Sequence, residues 1–268
     1  MPARINRSTS ARRAAEALTS MTIEVSEEAG VRYLHFGSRW IQGAMRMRRT
    51  HALELEYTRD MMFPLLLDVE PDWPRRVLII GLGAASITKF VYRHRPHALI
   101  TVVEIEARVV AAARQYFRLP AETARLAVEL GDGAAYVAQP GVAYDWILVD
   151  GFDAHGLAGA LDTRSFYRNC RDRLTERGVL TANLLRRSRG CEASVARIGE
   201  AFEHRVLTLP TCASGNTVAV AIRGPRLRVA RADLRRAAET LRETTGLNLL
   251  RTVGRLAAST PPGGVLML

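Results

Sequence analysis

The sequence predicts an α/β protein: a Rossmann-like, buried parallel sheet preceded by a small antiparallel β unit. Three observations point there. Short unbroken apolar runs end in glycine or an acid at Gly81, Glu104, Gly131–Asp132 and Asp150. Stretches of helical character, Ser86–His94, Glu106–Phe117 and Arg164–Leu174, alternate with them. Ahead of these lies a segment with the period-two alternation of a half-buried hairpin. Strands that are apolar throughout, alternating with helices, are the pattern of a sheet covered on both faces.

In chain order, residues 1–20 are basic, rich in Ser and Ala and poor in large apolar side chains, so a disordered tail is expected. Residues 21–68 read as a β-hairpin unit with a helix. Ile23–Glu27 and Val31–Phe36 form the hairpin across Glu28–Gly30, and Phe36–Ser38 turns the chain toward Trp40–Gln42. His51–Leu67 has helical periodicity, and Asp68–Pro74 is a proline-bearing linker. Residues 75–225 form the βα domain, with strands at Val77–Ile80, Ile100–Val103, Leu126–Leu130, Trp146–Val149 and Gly178–Asn183. Val206–Leu209 and Thr217–Ile222, joined through Ser214–Asn216, read as a closing antiparallel pair. Residues 226–268 read as helical, over Ala230–Thr244 and Leu247–Ala258.

Composition narrows the function classes. With 268 residues, 48% of them hydrophobic, the chain has enough apolar material for one large core. It has no apolar run of membrane-spanning length, and no membrane partner is expected. The formal charge of +11 invites a nucleic-acid reading, but the arginines are scattered and Lys89 is the only lysine, so solvated arginine faces are expected instead. Cys170, Cys191 and Cys212 stand 21 residues apart without a CxxC or Cys/His cluster. They read as small buried hydrophobes in a reducing cytoplasm, with no metal site.

The informative polar residues sit at strand ends, where open parallel sheets bind ligands. Gly81–Leu82–Gly83–Ala84–Ala85–Ser86 follows the first strand and opens a helix; the glycines allow a tight turn close to a ligand. Glu104 ends the second strand, 21 residues after Gly83. An ionised carboxylate there can accept both hydroxyls of a ribose. Asp132, within Gly131–Asp132–Gly133, can accept the exocyclic amine of adenine, with the Gly133 backbone facing the ring. The alternative for each is structural: a tight βα turn, a surface acid and a Gly-Asp-Gly turn. The combination favours a nucleoside site. Asp150 and Asp153, just past the fourth strand, can flank a reacting amine, one as base and one as cation holder.

These stretches resemble the spermidine synthase family, the polyamine aminopropyltransferases. The resemblance runs from Ile23 to Ile222 and rests on Trp40–Gln42, Val77–Gly83, Val103–Glu106, Gly131–Gly133, Asp150 with Asp153, Phe166–Tyr167 and the late segment Gly215–Val218. It implies a methyltransferase-type sheet on which Gln42 and Glu104 hold the donor's ribose and Asp132 its adenine. It makes Asp150 the base, makes Asp153 and Tyr57 contacts of the acceptor amine, and makes residues 151–163 a gate. It implies decarboxylated S-adenosylmethionine, or S-adenosylmethionine itself, as co-substrate, a small amine as acceptor, and no tightly bound cofactor. A homo-oligomer, such as a dimer through the N-terminal β unit, is also implied.

Two departures stand out. The family's glycine loop carries an aspartate that contacts the amine of the transferred arm, and Ala84 stands there. Glu56–Asp60 replaces the usual Tyr-His/Gln-Glu segment, with Tyr57 the counterpart of its tyrosine. Glu54, Glu56, Asp60, Asp150 and Asp153 are the acids that remain to make this end of the groove locally negative. Alternatives on the same scaffold are an S-adenosylmethionine-dependent methyltransferase, which needs no such aspartate, and a non-catalytic nucleoside-binding relative. A nicotinamide dehydrogenase would have no use for Gly131–Gly133.

Overall fold

A computed structural model describes residues 22–38, 40–67, 72–152, 157–185, 190–258 and 265–268. The basic tail and Asp153 lie outside the described residues.

The N-terminal unit is a three-stranded antiparallel sheet of β1 (Ile23–Glu28), β2 (Val31–Phe36) and β3 (Ile41–Arg46). The expected helix over His51–Leu67 is shorter. It consists of α1 (Glu56–Asp60) and a separate 3-10 turn at Phe63–Leu66. Pro64 explains the break, because it lacks an N–H to donate and its ring crowds the carbonyl four residues back.

The central sheet has seven strands: β4 (Arg76–Ile80), β5 (Leu99–Glu104), β6 (Leu126–Leu130), β7 (Tyr144–Val149), β8 (Leu174–Leu185), β9 (Val206–Thr208) and β10 (Asn216–Ile222). Their order is β6-β5-β4-β7-β8-β10-β9. The first five are parallel, while β10 runs antiparallel to both β8 and β9. The chain winds outward from β4 in one direction and then in the other. The topological switch therefore falls between β4 and β7, where a crevice opens at the carboxyl ends.

Alternate residues of each strand feed two cores. Val77, Ile79, Ile100, Val102, Trp146 and Leu148 face one. Against them pack α2 (Ser86–His94), α3 (Ala107–Tyr116), α7 (Arg231–Thr245) and α8 (Leu250–Ala258). Leu78, Ile80, Ile147, Val149 and Leu180 face the other. They are covered by α4 (Gly133–Ala138), α5 (Arg164–Asp172) and α6 (Cys191–Ala201). Cys170 and Cys212 are buried as expected, and Cys191 is half-buried.

One further feature differs from the sequence-based expectation. The C-terminal segment contains an additional two-stranded sheet, Arg228–Ala230 with Val265–Met267. Strands of three residues are too short to show a period. Lys89 is not solvated. It is buried and donates from Nζ to the Phe117 carbonyl at 2.6 Å.

Burial lowers the Lys89 pKa to about 7. Below that value the folded protein carries a buried cation. Between there and the ordinary lysine pKa near ~10.4 the unfolded chain binds the proton and the folded chain does not, so stability rises with pH. We predict that the thermal midpoint of the wild type gains on that of Lys89→Met as pH climbs through this window. Parallel curves for the two proteins would show that Lys89 is not buried.

Candidate active site

The parallel ladder continues one rung beyond the strands. Gly131 N–H donates to the Glu104 carbonyl, Gly81 N–H to Val103 and Asp150 N–H to Ile80, each at 2.9 Å. Glu104, Gly81, Gly131 and Asp150 therefore lie side by side at one edge. Gly81 is held at φ +94°, and a Cβ there would lie 2.2 Å from the Asp150 carbonyl oxygen. Only glycine lets β4 and β7 end this close together.

Glu104 is buried and accepts from the Leu82 N–H at 2.8 Å and the Glu106 N–H at 3.0 Å. Its carboxylate thus braces the glycine loop. Burial raises its pKa and the backbone donors oppose that rise. Asp132 is exposed and caps α4, accepting at Oδ1 from the Ala134 N–H at 2.7 Å and the Ala135 N–H at 3.4 Å. Gly133 fits α4 against β4, since a Cβ there would lie 2.4 Å from Ile80.

The N-terminal sheet reaches the same edge through β3. The Gln42 carbonyl lies 3.4 Å from where a Gly83 Cβ would stand, and Ser86 Oγ donates to the Ala44 carbonyl at 2.8 Å. Gly43 packs on Ala84 so tightly that a Cβ on Gly43 would lie 2.6 Å from the Ala84 Cβ. Ala84 is therefore sealed beneath β3, only 3% exposed. Sequence spacing gives no warning of this contact.

Asp150 sits at the end of β7. It accepts at Oδ1 from Asn183 Nδ2 at 2.8 Å and at Oδ2 from the Tyr57 hydroxyl at 3.2 Å. Burial pushes its pKa up, against the pull of these two donors, and pushes the Tyr57 phenol well up as well. Helix α1, which carries Tyr57, is pinned from behind. Arg255 of α8 pairs with Glu56 and, at 2.6 Å, with Asp60, while Thr252 Oγ1 donates to Asp60 at 2.6 Å.

The expectation of several free acids here is corrected. Glu54 pairs with Arg46, and Glu56 and Asp60 pair with Arg255. Among the described residues of this group, Asp150 is the carboxylate that has no cation partner. Of the expected gate, residues 153–156 lie outside the described residues. Asp162, near the end of that segment, accepts from the Tyr167 hydroxyl at 3.0 Å and the Ser194 hydroxyl at 2.8 Å and pairs with Arg197.

Residues that sequence reasoning missed are Asn183, Asn216 and the exposed apolar pair Ile105 and Leu130, which are 52% and 62% exposed. The last two carry a usable signal: each is an apolar residue at or just past a strand end, beside a candidate ligand acid.

A topological switch bordered by a glycine loop and a row of strand-end acids is the arrangement of the methyltransferase fold. The spermine/spermidine synthase domain model matches residues 54–219. A polyamine aminopropyltransferase of Chromobacterium violaceum is 36% identical over 234 residues, covering 87% of this chain and 88% of that protein. A spermidine synthase solved with the transition-state analogue AdoDATO is 25% identical with a TM-score of 0.61, covering 89% and 85% of the two chains. Human methyltransferase-like protein 13, solved with SAH, is also 25% identical, with a TM-score of 0.65 and coverage of 72% and 93%. The chain belongs to the spermine/spermidine synthase family.

Gly81→Ala is predicted to destabilise the protein by more than about 2 kcal/mol, because left-handed backbone strain and overpacking both act there. Chemical denaturation measures it. A near-neutral effect would mean that the β4 and β7 ends are not in contact.

Proposed function

We propose that the protein transfers an aminopropyl group from decarboxylated S-adenosylmethionine to a small amine. The observation that carries this reading is Asp150: a half-buried carboxylate at the switch point, accepting from Tyr57 and Asn183, with the nucleoside-type strand ends beside it. Family membership supports it independently.

In this reading Glu104 and Gln42 hold the donor ribose, and Asp132 accepts from the adenine amine while the Gly133 backbone faces the ring. Gly81 and Gly83 leave room for the nucleoside. Ile105 and Leu130 offer apolar surface to the base. Asp150 takes a proton from the acceptor amine. The amine nitrogen then forms a bond to the carbon next to the sulfonium as the C–S bond breaks. The electron pair goes to sulfur, and neutral methylthioadenosine leaves. The protein's work is orientation and proton removal. Raising the pKa of a carboxylate by burial makes it a better acceptor of that proton. Tyr57 and Asp153 complete the acceptor end, and residues 151–163 close over it.

Ala84 favours a second reading, methyl transfer from S-adenosylmethionine. Sealed under Gly43, it offers nothing to the ammonium of an aminopropyl arm.

The two are separated by presenting radiolabelled methyl and aminopropyl donors with a panel of amines. Aminopropyl incorporation is expected, and methyl incorporation alone would establish the second reading. Asp150→Asn is predicted to lower kcat by about a hundredfold or more while methylthioadenosine still binds in calorimetry; undiminished turnover removes Asp150 as base. Glu104→Ala and Asp132→Ala are predicted to abolish that binding. The first also leaves two backbone N–H groups without their acceptor, at about 1–3 kcal/mol each. Full affinity in both would place the nucleoside elsewhere.

A further inference from the structure

Helix α1 is a single turn that carries Tyr57, and little within it fixes where that side chain points. Its N-cap, Leu55, supplies no side-chain hydrogen bond. One turn fixes several backbone torsions for very few hydrogen bonds, so five residues do not hold a helix by themselves. The polar contacts inside the segment are local. Thr58 Oγ1 donates to the Leu55 carbonyl at 2.7 Å, and Arg59 Nη1 donates to the Leu53 and Glu54 carbonyls at 3.1 and 2.8 Å. They shape the turn without placing it against the sheet. Met61, Met62 and Phe63 bury the chain just beyond it. Apolar burial is non-directional, so it sets depth and leaves rotation open.

Rotation is set from outside. Glu56 and Asp60 are four residues apart and share one face of α1, with Tyr57 roughly a quarter-turn round from Glu56. Arg255 of α8 spans that face with one guanidinium, Nη1 pairing with Glu56 Oε1 and Nη2 with Asp60 Oδ2 at 2.6 Å. Each carboxylate has a second partner. Thr252, on the same face of α8, donates to Asp60 Oδ1 at 2.6 Å, and the Ala213 N–H donates to Glu56 Oε2 at 3.0 Å. Two fixed points on one face stop a short helix from turning. The Tyr57 hydroxyl needs that restraint. It stands at the end of a long side chain and reaches Asp150 at 3.2 Å, which is long for a bond between oxygens.

We propose that Arg255 is a positioning residue for the acceptor end: by clamping Glu56 and Asp60 it aims the Tyr57 hydroxyl at Asp150 and so governs use of the amine. The proposal rests on Tyr57 and Asp150 forming the acceptor end. The donor end is held by other elements, the strand ends at Glu104 and Asp132 and the loop at Gly81 and Gly83. Loosening α1 therefore acts on the amine and leaves the nucleoside alone.

The test measures kcat and the KM of each substrate, with decarboxylated S-adenosylmethionine and the most active of a set of linear diamines. The variants are Arg255→Gln, Glu56→Gln and Tyr57→Phe, together with Tyr57→Phe combined with each of the other two. Tyr57→Phe is expected to lower kcat/KM for the amine about tenfold or more, as loss of a hydrogen bond to a charged group does. Arg255→Gln is expected to lower it about tenfold as well, with the donor KM and methylthioadenosine affinity unchanged. In the Tyr57→Phe background the Arg255 change is expected to add less than about twofold, because no hydroxyl is left to aim. Glu56→Gln loses the ion pair yet can still accept from Ala213, and it is expected to act in the same direction by less. If Arg255→Gln does not fold, Glu56→Gln and its combination with Tyr57→Phe decide. A purely structural role lowers the thermal midpoint and kcat, leaves both KM values as they are, and costs as much with Tyr57→Phe as without it. That result, with Tyr57→Phe itself impaired, overturns this proposal alone. Undiminished use of the amine by Tyr57→Phe removes Tyr57 from the acceptor end and this proposal with it.

Discussion

The backbone rung that joins Gly131 to Glu104, Gly81 to Val103 and Asp150 to Ile80 sets the geometry of everything around it. Parallel strands carry the chain to one edge of the sheet, and this rung keeps four of them in step after the apolar runs have ended. The contact of Gly81 with the Asp150 carbonyl then fixes how near the glycine loop stands to the acid. A side chain at Gly81 would part β4 from β7 and open the crevice. Glu104 adds a second brace, because its carboxylate draws the Leu82 and Glu106 backbones together. The loop is thus shaped by the same residue proposed to hold the ribose. A bound ribose diol would compete for oxygens already engaged, which ties loop geometry to occupancy.

The central sheet was readable because its strands are buried on both faces, and such strands stand out as continuous apolar runs. The acids at their ends were readable for the same reason: each interrupts a run at the point where the chain leaves the core. What stayed hidden depends on contacts between segments far apart in the chain. Nothing in Gly43 or Ala84 alone says that one covers the other. Asn183 and Asn216 look like ordinary strand polar residues until the register of β8 against β10 sets them diagonally. Thr252 and Arg255 read as helix-surface residues, yet they hold Asp60, a carboxylate that is 2% exposed. Sequence alone likewise does not reveal that the helix face carrying Lys89 turns toward Phe117.

The ion pairs behind α1 change how the acceptor end is understood. Counting acids near Tyr57 suggests a strongly negative groove. Pairing offsets most of that charge, since Arg46 stands against Glu54 and Arg255 is shared by Glu56 and Asp60. What the pairs supply is rigidity. A buried carboxylate with two partners holds α1 in one place, and removing one partner of such a set usually costs more than the pair contributes. The Ala213 N–H donates to Glu56 as well, at 3.0 Å, so the loop before β10 and the C-terminal helix meet on one side chain. The segment beyond the family-matched region is therefore part of the support for Tyr57.

Asp150, the proposed base, stands under two opposed demands. Burial alone favours its neutral form, which cannot accept a proton. Donors alone would hold it so firmly ionised that it would be too weak a base for an ammonium. Here a long bond from Tyr57 and a normal one from Asn183 oppose the burial without cancelling it. The two donors differ in kind. A hydroxyl can rotate and accept a proton's hydrogen bond once Asp150 is neutral, so Tyr57 serves both states. The Asn183 amide donates to the anion as it stands, and it serves the neutral acid only by turning together with Asn216, whose own partner, the Ser214 hydroxyl, can take either role.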